Sequence, residues 1–192
     1  MRVVLLVCIL AITCASALAQ VSFGVKAGVN FNELVWTPAP KGFSLDNTSG
    51  LGFHLGFYSR VKIGGNFSLI PELQLSQRGV SISSGGSTSN FNIYYLEVPI
   101  LLSYNVKKIG IDLGPNVSYR ITSTLDVYKD FDFGLNGGIR FDLTERIFIL
   151  GRYYYGLTTI STIDLRDQNN NPLGLIGERS RSVQIGIGYK LK

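Results

Sequence analysis

The stretch Tyr94–Tyr119 constrains the fold more than any other part of the chain. It reads as two strands joined by a very short turn at Asn105–Ile109. In the first strand Tyr94, Leu96, Val98, Ile100, Leu102 and Tyr104 share one face, and Tyr95, Glu97, Pro99, Leu101, Ser103 and Asn105 share the other. The second strand sets Ile109, Ile111, Leu113, Val117, Tyr119 and Ile121 against Gly110, Asp112, Gly114, Asn116, Ser118 and Arg120. Side chains alternate across a strand with period two, so each strand has an almost wholly apolar face and a face of carboxylates, Arg, amides and Gly. Strands of soluble sandwiches average about 5–6 residues and turn their apolar face inward. A transmembrane barrel is inverted, with apolar residues toward lipid and polar residues toward the lumen.

The same alternation recurs along the chain. Expected strands cover Val21–Asn32, Leu51–Val61, Phe67–Arg78, the opening pair, Phe131–Leu143, Ile147–Thr159 and Arg181–Leu191. That makes eight, the even number typical of bacterial single-chain barrels. Long connections at about Glu33–Gly50, Gly79–Phe91, Ser123–Asp130 and Ile160–Ser180 alternate with tight turns at Lys62–Asn66, Asn105–Ile109 and Thr144–Arg146. All the short turns therefore fall at one end, together with both termini. In bacterial outer-membrane barrels that end is periplasmic. Two outward aromatic bands are expected. Phe23, Phe57, Phe67, Tyr104, Phe141 and Tyr189 lie near the turn end. Phe31, Phe53, Tyr94, Tyr119, Phe131 and Tyr155 lie near the loop end. The fold expected is all-β: an eight-stranded antiparallel up-and-down transmembrane β-barrel, monomeric, in the bacterial outer membrane with both termini periplasmic. A lipocalin-like soluble barrel is the alternative, but it would have to enclose most of the Phe and Tyr.

Met1–Ala19 has the form of a cleaved secretory signal. Arg2 supplies the charge, Val3–Ile12 the apolar run and Ala17-Leu18-Ala19 the small-residue site, leaving 20–192 as one barrel domain. A lipoprotein signal ending at Cys14 is the alternative. Both cysteines, Cys8 and Cys14, lie in this segment. The mature chain then has no disulfide, no Cys-ligated metal and no Cys nucleophile. The formal charge of +5 is scattered, and the Lys107-Lys108 pair reads as a solvated turn, so nucleic acid is not an expected partner.

Four segments together resemble the small outer-membrane β-barrel proteins of Bacteroidetes, the PorT family. They are Gly24–Phe31 (GVKAGVNF), Leu69–Leu73 (LIPEL), Tyr95–Ile100 (YLEVPI) and the closing Gly186–Leu191 (GIGYKL). The resemblance spans the mature chain and implies an outer-membrane barrel and little more. The family's best-known member is linked to protein secretion, a role not carried over to this chain.

An eight-stranded barrel is only wide enough for side chains to fill it, so inward charges must pair within the lumen. The expected lumen network is Glu72, Glu97, Asp112, Arg120, Asp132, Arg140 and Arg152. Lys26, Arg60, Arg78, Asp142 and Lys190 are inward by the same parity. Folding the strands about their turns sets Arg120 opposite Asp132, Asp112 opposite Arg140, and Glu72 close to Glu97. Two adjacent carboxylates need a cation between them, and Arg152 or Arg120 reaching across the lumen is the first choice. Such a network reads as a plug that holds the barrel together, or as a gate or proton path. Pro71, Pro99 and Pro115 remove ladder donors at similar height in three successive strands and predict bulges or local breaks.

His54 is the one histidine and is expected inward. A His-based metal site is thus unavailable, and any Ser–His–acid chemistry must use this residue. No cofactor is implied. The leading function is non-enzymatic: a structural or partner-binding role at the envelope. A small channel or transporter, an accessory of a secretion or envelope complex, and a lipid-active enzyme are the alternatives. Besides outer-membrane lipid, a further envelope protein is the expected partner through the long loops, where Trp36, Leu175 and Ile176 are candidate contacts.

Overall fold

The structure, a computed structural model, describes residues 21–37, 48–84, 87–123, 129–166 and 172–191, of which 36–37, 48, 80–91, 163–166 and 172–176 are described by backbone alone. The expected signal segment, the bulk of the first long loop and parts of the others lie outside the described residues. The described residues form nine strands: β1 (Val21–Thr37), β2 (Thr48–Gly64), β3 (Phe67–Ser84), β4 (Ser87–Val106), β5 (Ile109–Ser123), β6 (Phe131–Asp142), β7 (Ile147–Gly156), β8 (Ser161–Arg166) and β9 (Pro172–Lys190). Strands β1 to β7 pair in sequence, β7 pairs with β9, and β9 closes on β1. The barrel is therefore eight-stranded, antiparallel and closed. The additional β8 pairs only with the outer part of β9, as a hairpin above the wall.

The pairing register defines the barrel's stagger. From Val21 the partners run Val61, Leu69, Leu102, Leu113, Gly137, Tyr153 and Val183, and Val183 pairs with Phe31, ten residues further along β1. A stagger of this kind accompanies strongly tilted strands, and eight strands leave an interior that side chains fill.

Burial is inverted as lipid requires. The residues facing out are Leu, Ile, Val, Phe and Tyr; Leu113, Phe57 and Ile139 are each more than 60% exposed. The residues facing in are mostly polar, and Asn30, Ser76, Glu97, Ser103, Ser118 and Asp132 have no exposure at all. This disposes of the lipocalin alternative, whose apolar face points inward. The expected aromatic bands are exposed on the wall, apart from the half-buried Tyr94. Phe67 packs on Tyr104 at 5.0 Å in the turn-side band and Tyr119 on Phe131 at 5.1 Å in the other. Phe23 and Phe31 are eight residues apart on β1. That is about 27 Å along a strand and about 21 Å along the normal at about 40° of tilt, close to the apolar height of such barrels.

Three corrections concern strand lengths. The segments expected as loops at Glu33–Gly50, Gly79–Phe91 and Ile160–Ser180 are partly strand. Pairing continues to Leu34–Thr48 in β1–β2, to Ser84–Ser87 in β3–β4, and through the β8–β9 hairpin. The reason is environmental. Beyond the membrane the outward face no longer meets lipid, so a ladder persists there without the apolar alternation that marks it inside lipid. At the other end the turns are tight as expected. Gly64 and Gly65 take φ of 142° and 51°, and Lys107 takes 52°, conformations that glycine adopts without steric cost.

The wall prolines interrupt pairing without shifting it. Pro71 pairs with Ile100 and Gln74 with Glu97, in one register, with the positions between them unpaired. Pro99 with Asn116 and Leu102 with Leu113 likewise share a register. The result is a local gap in each ladder and no bulge.

Because the lipid-facing surface is continuous at Leu113, Leu113→Arg should lower the unfolding free energy in lipid vesicles by about 2–4 kcal/mol, while Asn66→Arg in the turn should leave it within about 0.5 kcal/mol. Denaturant titration followed by heat-modifiable gel migration reads both.

Candidate functional site: the charged lumen and its two mouths

The inward side chains are stacked in layers. Nearest the turn end, Tyr58, Ile70, Leu101, Phe148 and Leu150 form an apolar cluster inside the lumen, with Tyr58 edge-on to Phe148 at 5.5 Å. Above it Glu72 is clasped by two cations. Lys26 Nζ donates to Oε2 at 2.5 Å, and Arg152 donates through Nη1 and Nη2 at 2.7 and 3.0 Å. Arg152 is on β7 and Glu72 on β3, so this guanidinium reaches across the lumen. Asp112 lies 3.5 Å from Arg140 and 3.9 Å from Arg152, which joins the lower ion pairs into one chain.

The upper network centres on Arg78. Its Nε and Nη2 donate to Glu97 Oε1 at 3.0 and 2.6 Å, and its Nη1 donates to Asp132 Oδ2 at 2.8 Å. Ser118 and Ser180 hydroxyls accept further bonds from it. The rings of Tyr95 and Tyr154 flank the guanidinium, their centroids 4.7 and 4.0 Å from Cζ. Tyr154 donates its hydroxyl proton to Asp132 at 2.6 Å, and Gln74 and Asn116 donate amide protons to Glu97. Lys26, Arg78, Arg140 and Arg152 thus stand against Glu72, Glu97, Asp112 and Asp132, four cations to four carboxylates, all nearly inaccessible.

His54 lies between the two networks. Its Nδ1 is 2.7 Å from Asn30 Oδ1, and Asn30 donates its own amide protons to Ser76 Oγ and to the Phe53 carbonyl. The Asn30 oxygen is therefore the acceptor, and His54 carries a proton on Nδ1. Gly28 and Gly186 make room for the ring: a Cβ at either would lie 2.6 or 2.9 Å from it. With an amide rather than a carboxylate behind it and no hydroxyl bonded at Nε2, His54 lacks the geometry of a nucleophile's base. Among the described residues no three His, Cys, Asp or Glu side chains converge in a metal-holding group.

At the loop end the described residues cap the lumen. Leu34, Ile93, Tyr95 and Ile160 form a second apolar cluster over the Arg78 layer. Ile160 belongs to the segment between β7 and β8. That segment folds over the lumen because the Lys129 amide donates to the Ile160 carbonyl, the Ile160 amide donates to the Glu178 carbonyl, and Thr158 Oγ1 donates to Asp132 at 2.6 Å.

Several expected pairings are corrected. The β5–β6 register sets Ser118, not Arg120, opposite Asp132, and Gly110, not Asp112, opposite Arg140. Arg120 instead meets Asp130 at 2.8 Å on the outer rim. Asp112 reaches Arg140 diagonally. Glu97 faces Gln74, and Glu72 lies one inward position closer to the turn end. The two carboxylates are consequently served by different cations and share none within bonding distance. The expected hinge was centred on the loop, whereas the two strands leave the membrane unevenly, and that displaces the pairing by two residues. Parity places Arg78 inward but specifies no partner for it. The inward parity of Tyr95 with Glu97 and of Tyr154 with Arg152 was the available signal for its aromatic flanks. The candidate contacts Trp36, Leu175 and Ile176 lie in paired strands rather than loops, Trp36 beside Glu178, Leu175 beside Asp164 and Ile176 beside Ile163; their side chains are outside the described residues.

Arg78→Met should leave Glu97 and Asp132 without their cation and lower stability by about 3–5 kcal/mol. Adding Glu97→Gln and Asp132→Asn should recover at least half of that loss. Denaturant unfolding in vesicles, followed by the folded gel band, measures both.

Comparison with solved structures finds the same architecture. Two structures of Ail, the attachment invasion locus protein of Yersinia pestis, are 13% identical to this chain; each aligns with 90% of this chain and 99% of its own. Their TM-scores are 0.51, for Ail in complex with the heparin analogue sucrose octasulfate, and 0.50. The outer membrane protein OprG from Pseudomonas aeruginosa is 15% identical over 88% of this chain and 95% of its own, with a TM-score of 0.47. At 13% identity the likeness to Ail shows the fold alone. No curated protein matches the sequence significantly. Residues 16–162 do match the family described as the outer membrane protein beta-barrel domain, and with the inverted burial and the closed wall this means that the chain belongs to that family and is an outer-membrane β-barrel protein.

Proposed function

We propose that this protein is a closed, monomeric, non-enzymatic barrel of the bacterial outer membrane that presents its outer strand extensions to another envelope component. One observation carries the proposal: the lumen is filled and capped, while the wall extends beyond the membrane as paired strands. An ion entering from the outer side would meet the Leu34–Ile93–Tyr95–Ile160 cluster, then the Arg78 layer, then the Glu72 clasp. Separating buried, hydrogen-bonded charge pairs costs several kcal/mol at each step, which disfavours the channel reading and the gate reading of the network. His54, tied to an amide inside the lumen, disfavours a lipid-active enzyme. The short turns and both ends of the described chain share one mouth. The general rule that short turns face the periplasm supports that orientation.

The four segments GVKAGVNF, LIPEL, YLEVPI and GIGYKL support placement within the PorT-type barrels of Bacteroidetes. Binding then belongs to the outer extensions of β1, β2, β3, β4 and the β8–β9 hairpin, with Trp36, Leu175 and Ile176 as candidate contacts alongside a lipid-facing wall.

Photocrosslinking tests this in intact outer membranes. A benzophenone amino acid in place of Trp36 or Leu175 should give a discrete protein adduct that untagged competitor abolishes. The same group in place of Ile111, on the lipid-facing wall, should give none. Equal adduct patterns from outer and wall positions would contradict a partner-binding role for the extensions.

A further inference from the structure

The turn-side mouth differs from the outer one in being open. A cavity of about 610 Å³ lies there, lined by Tyr58, Arg60, Lys108, Asp142, Thr144, Glu145, Arg146, Ile147, Phe148 and Lys190. Its floor is the lower apolar cluster, with Tyr58 and Phe148 forming part of both. It is therefore a cup rather than a passage.

The charge of the cup is unbalanced. Four cations, Arg60, Lys108, Arg146 and Lys190, face two carboxylates, Asp142 and Glu145. Asp142 is already engaged by Arg140 Nε at 3.3 Å. Arg60 is the telling residue. The buried lumen cations Lys26, Arg78, Arg140 and Arg152 each have a carboxylate within 4 Å. Among the described residues Arg60 has none, and its Nε is buried without a hydrogen-bond partner. Its guanidinium lies 6.0 Å from the Phe148 centroid, and that of Arg140 lies 5.9 Å from the same centroid. Two guanidinium groups thus share one ring at the base of the cup. Arg140 has Asp112 and Asp142 within 4 Å, whereas Arg60 has no such carboxylate among the described residues, and a guanidinium in that position favours an anion within reach. Cavities of some 300–1,000 Å³ with a largely apolar floor and a few convergent polar groups are the usual form of small-ligand sites.

The geometry points to the turn-side cup as a binding site for a small polyanion, a compact molecule carrying phosphate or carboxylate groups. Arg60 is its principal ligand, with Lys108, Arg146 and Lys190 around the rim. The anion supplies the counter-charge that the lumen withholds from Arg60, and the apolar floor confines it to the mouth. This stands apart from partner binding at the opposite end of the barrel, and either can fail without the other.

The test uses the full barrel in detergent micelles, with the Nε–Hε resonances of selectively labelled arginine as the readout. Titration with inorganic pyrophosphate and, separately, with citrate should shift the Arg60 signal saturably, beyond any shift from sodium chloride at matched ionic strength. Saturation by only one of the two identifies the group as phosphate or carboxylate. Calorimetric affinity for the effective anion should fall at least tenfold in Arg60→Gln, on the order of one charge-assisted bidentate contact. It should rise about two- to threefold in Glu145→Gln, where a rim carboxylate is removed. Both variants should keep the heat-modifiable folded band. If Arg60→Gln does not fold, the Glu145→Gln affinity and the wild-type titration still decide. Shifts no larger than those from sodium chloride, or an affinity indifferent to both substitutions, would overturn the site.

Discussion

The neutralisation of charge inside a space that lipid surrounds and water scarcely enters is the constraint on which this structure depends. An eight-stranded wall leaves room for side chains and little else. Arg78 shows how the constraint is met. Its guanidinium bridges Glu97 on β4 and Asp132 on β6, donates to Ser118 and Ser180 on two further strands, and is flanked by two tyrosine rings. One side chain thereby ties β3 to β4, β5, β6 and β9 through the interior. The wall hydrogen bonds define which strands are neighbours; several of the lumen bonds also join strands that are not. Lys26 and Arg152 repeat the arrangement one layer down, linking β1 and β7 to Glu72 on β3.

Much of this was legible in the sequence because lipid and lumen impose opposite chemistry on alternate residues. The eight wall strands, the tight turns, the aromatic bands and the inward parity of Glu72, Glu97, Asp112, Asp132, Arg140 and Arg152 all follow from a period of two. Register did not follow, because a long loop does not specify where its two strands leave the membrane. Two residues of displacement preserve parity but exchange every partner. That is why Asp132 meets Arg78 rather than Arg120, and why Gln74 rather than Glu72 faces Glu97. The outer extensions were illegible for a different reason. Ser81–Ser84 and its partner segment Ser87–Asn90 carry no sustained alternation of apolar and polar residues, and the sequence there reads as loop although the ladder continues.

The two mouths differ in a way that bears on function. The outer one is covered by Ile160 and its apolar neighbours and surrounded by paired strands that rise above the membrane. The turn-side one is an open cationic cup. Family membership and the likeness to Ail account for the wall, which many outer-membrane proteins share. They say nothing of what fills it or projects from it. On the proposed reading of a closed lumen, the barrel acts at its ends and along its lipid-facing surface.

Single-channel recording across a planar lipid bilayer tests that seal most directly. Purified barrels inserted in known number should leave the membrane at its bare conductance at both polarities and in high salt, because the apolar cap and the balanced ion pairs offer ions no path. Discrete, reproducible conductance steps from the unmodified protein, scaling with the number of barrels inserted, would contradict the account of a closed lumen.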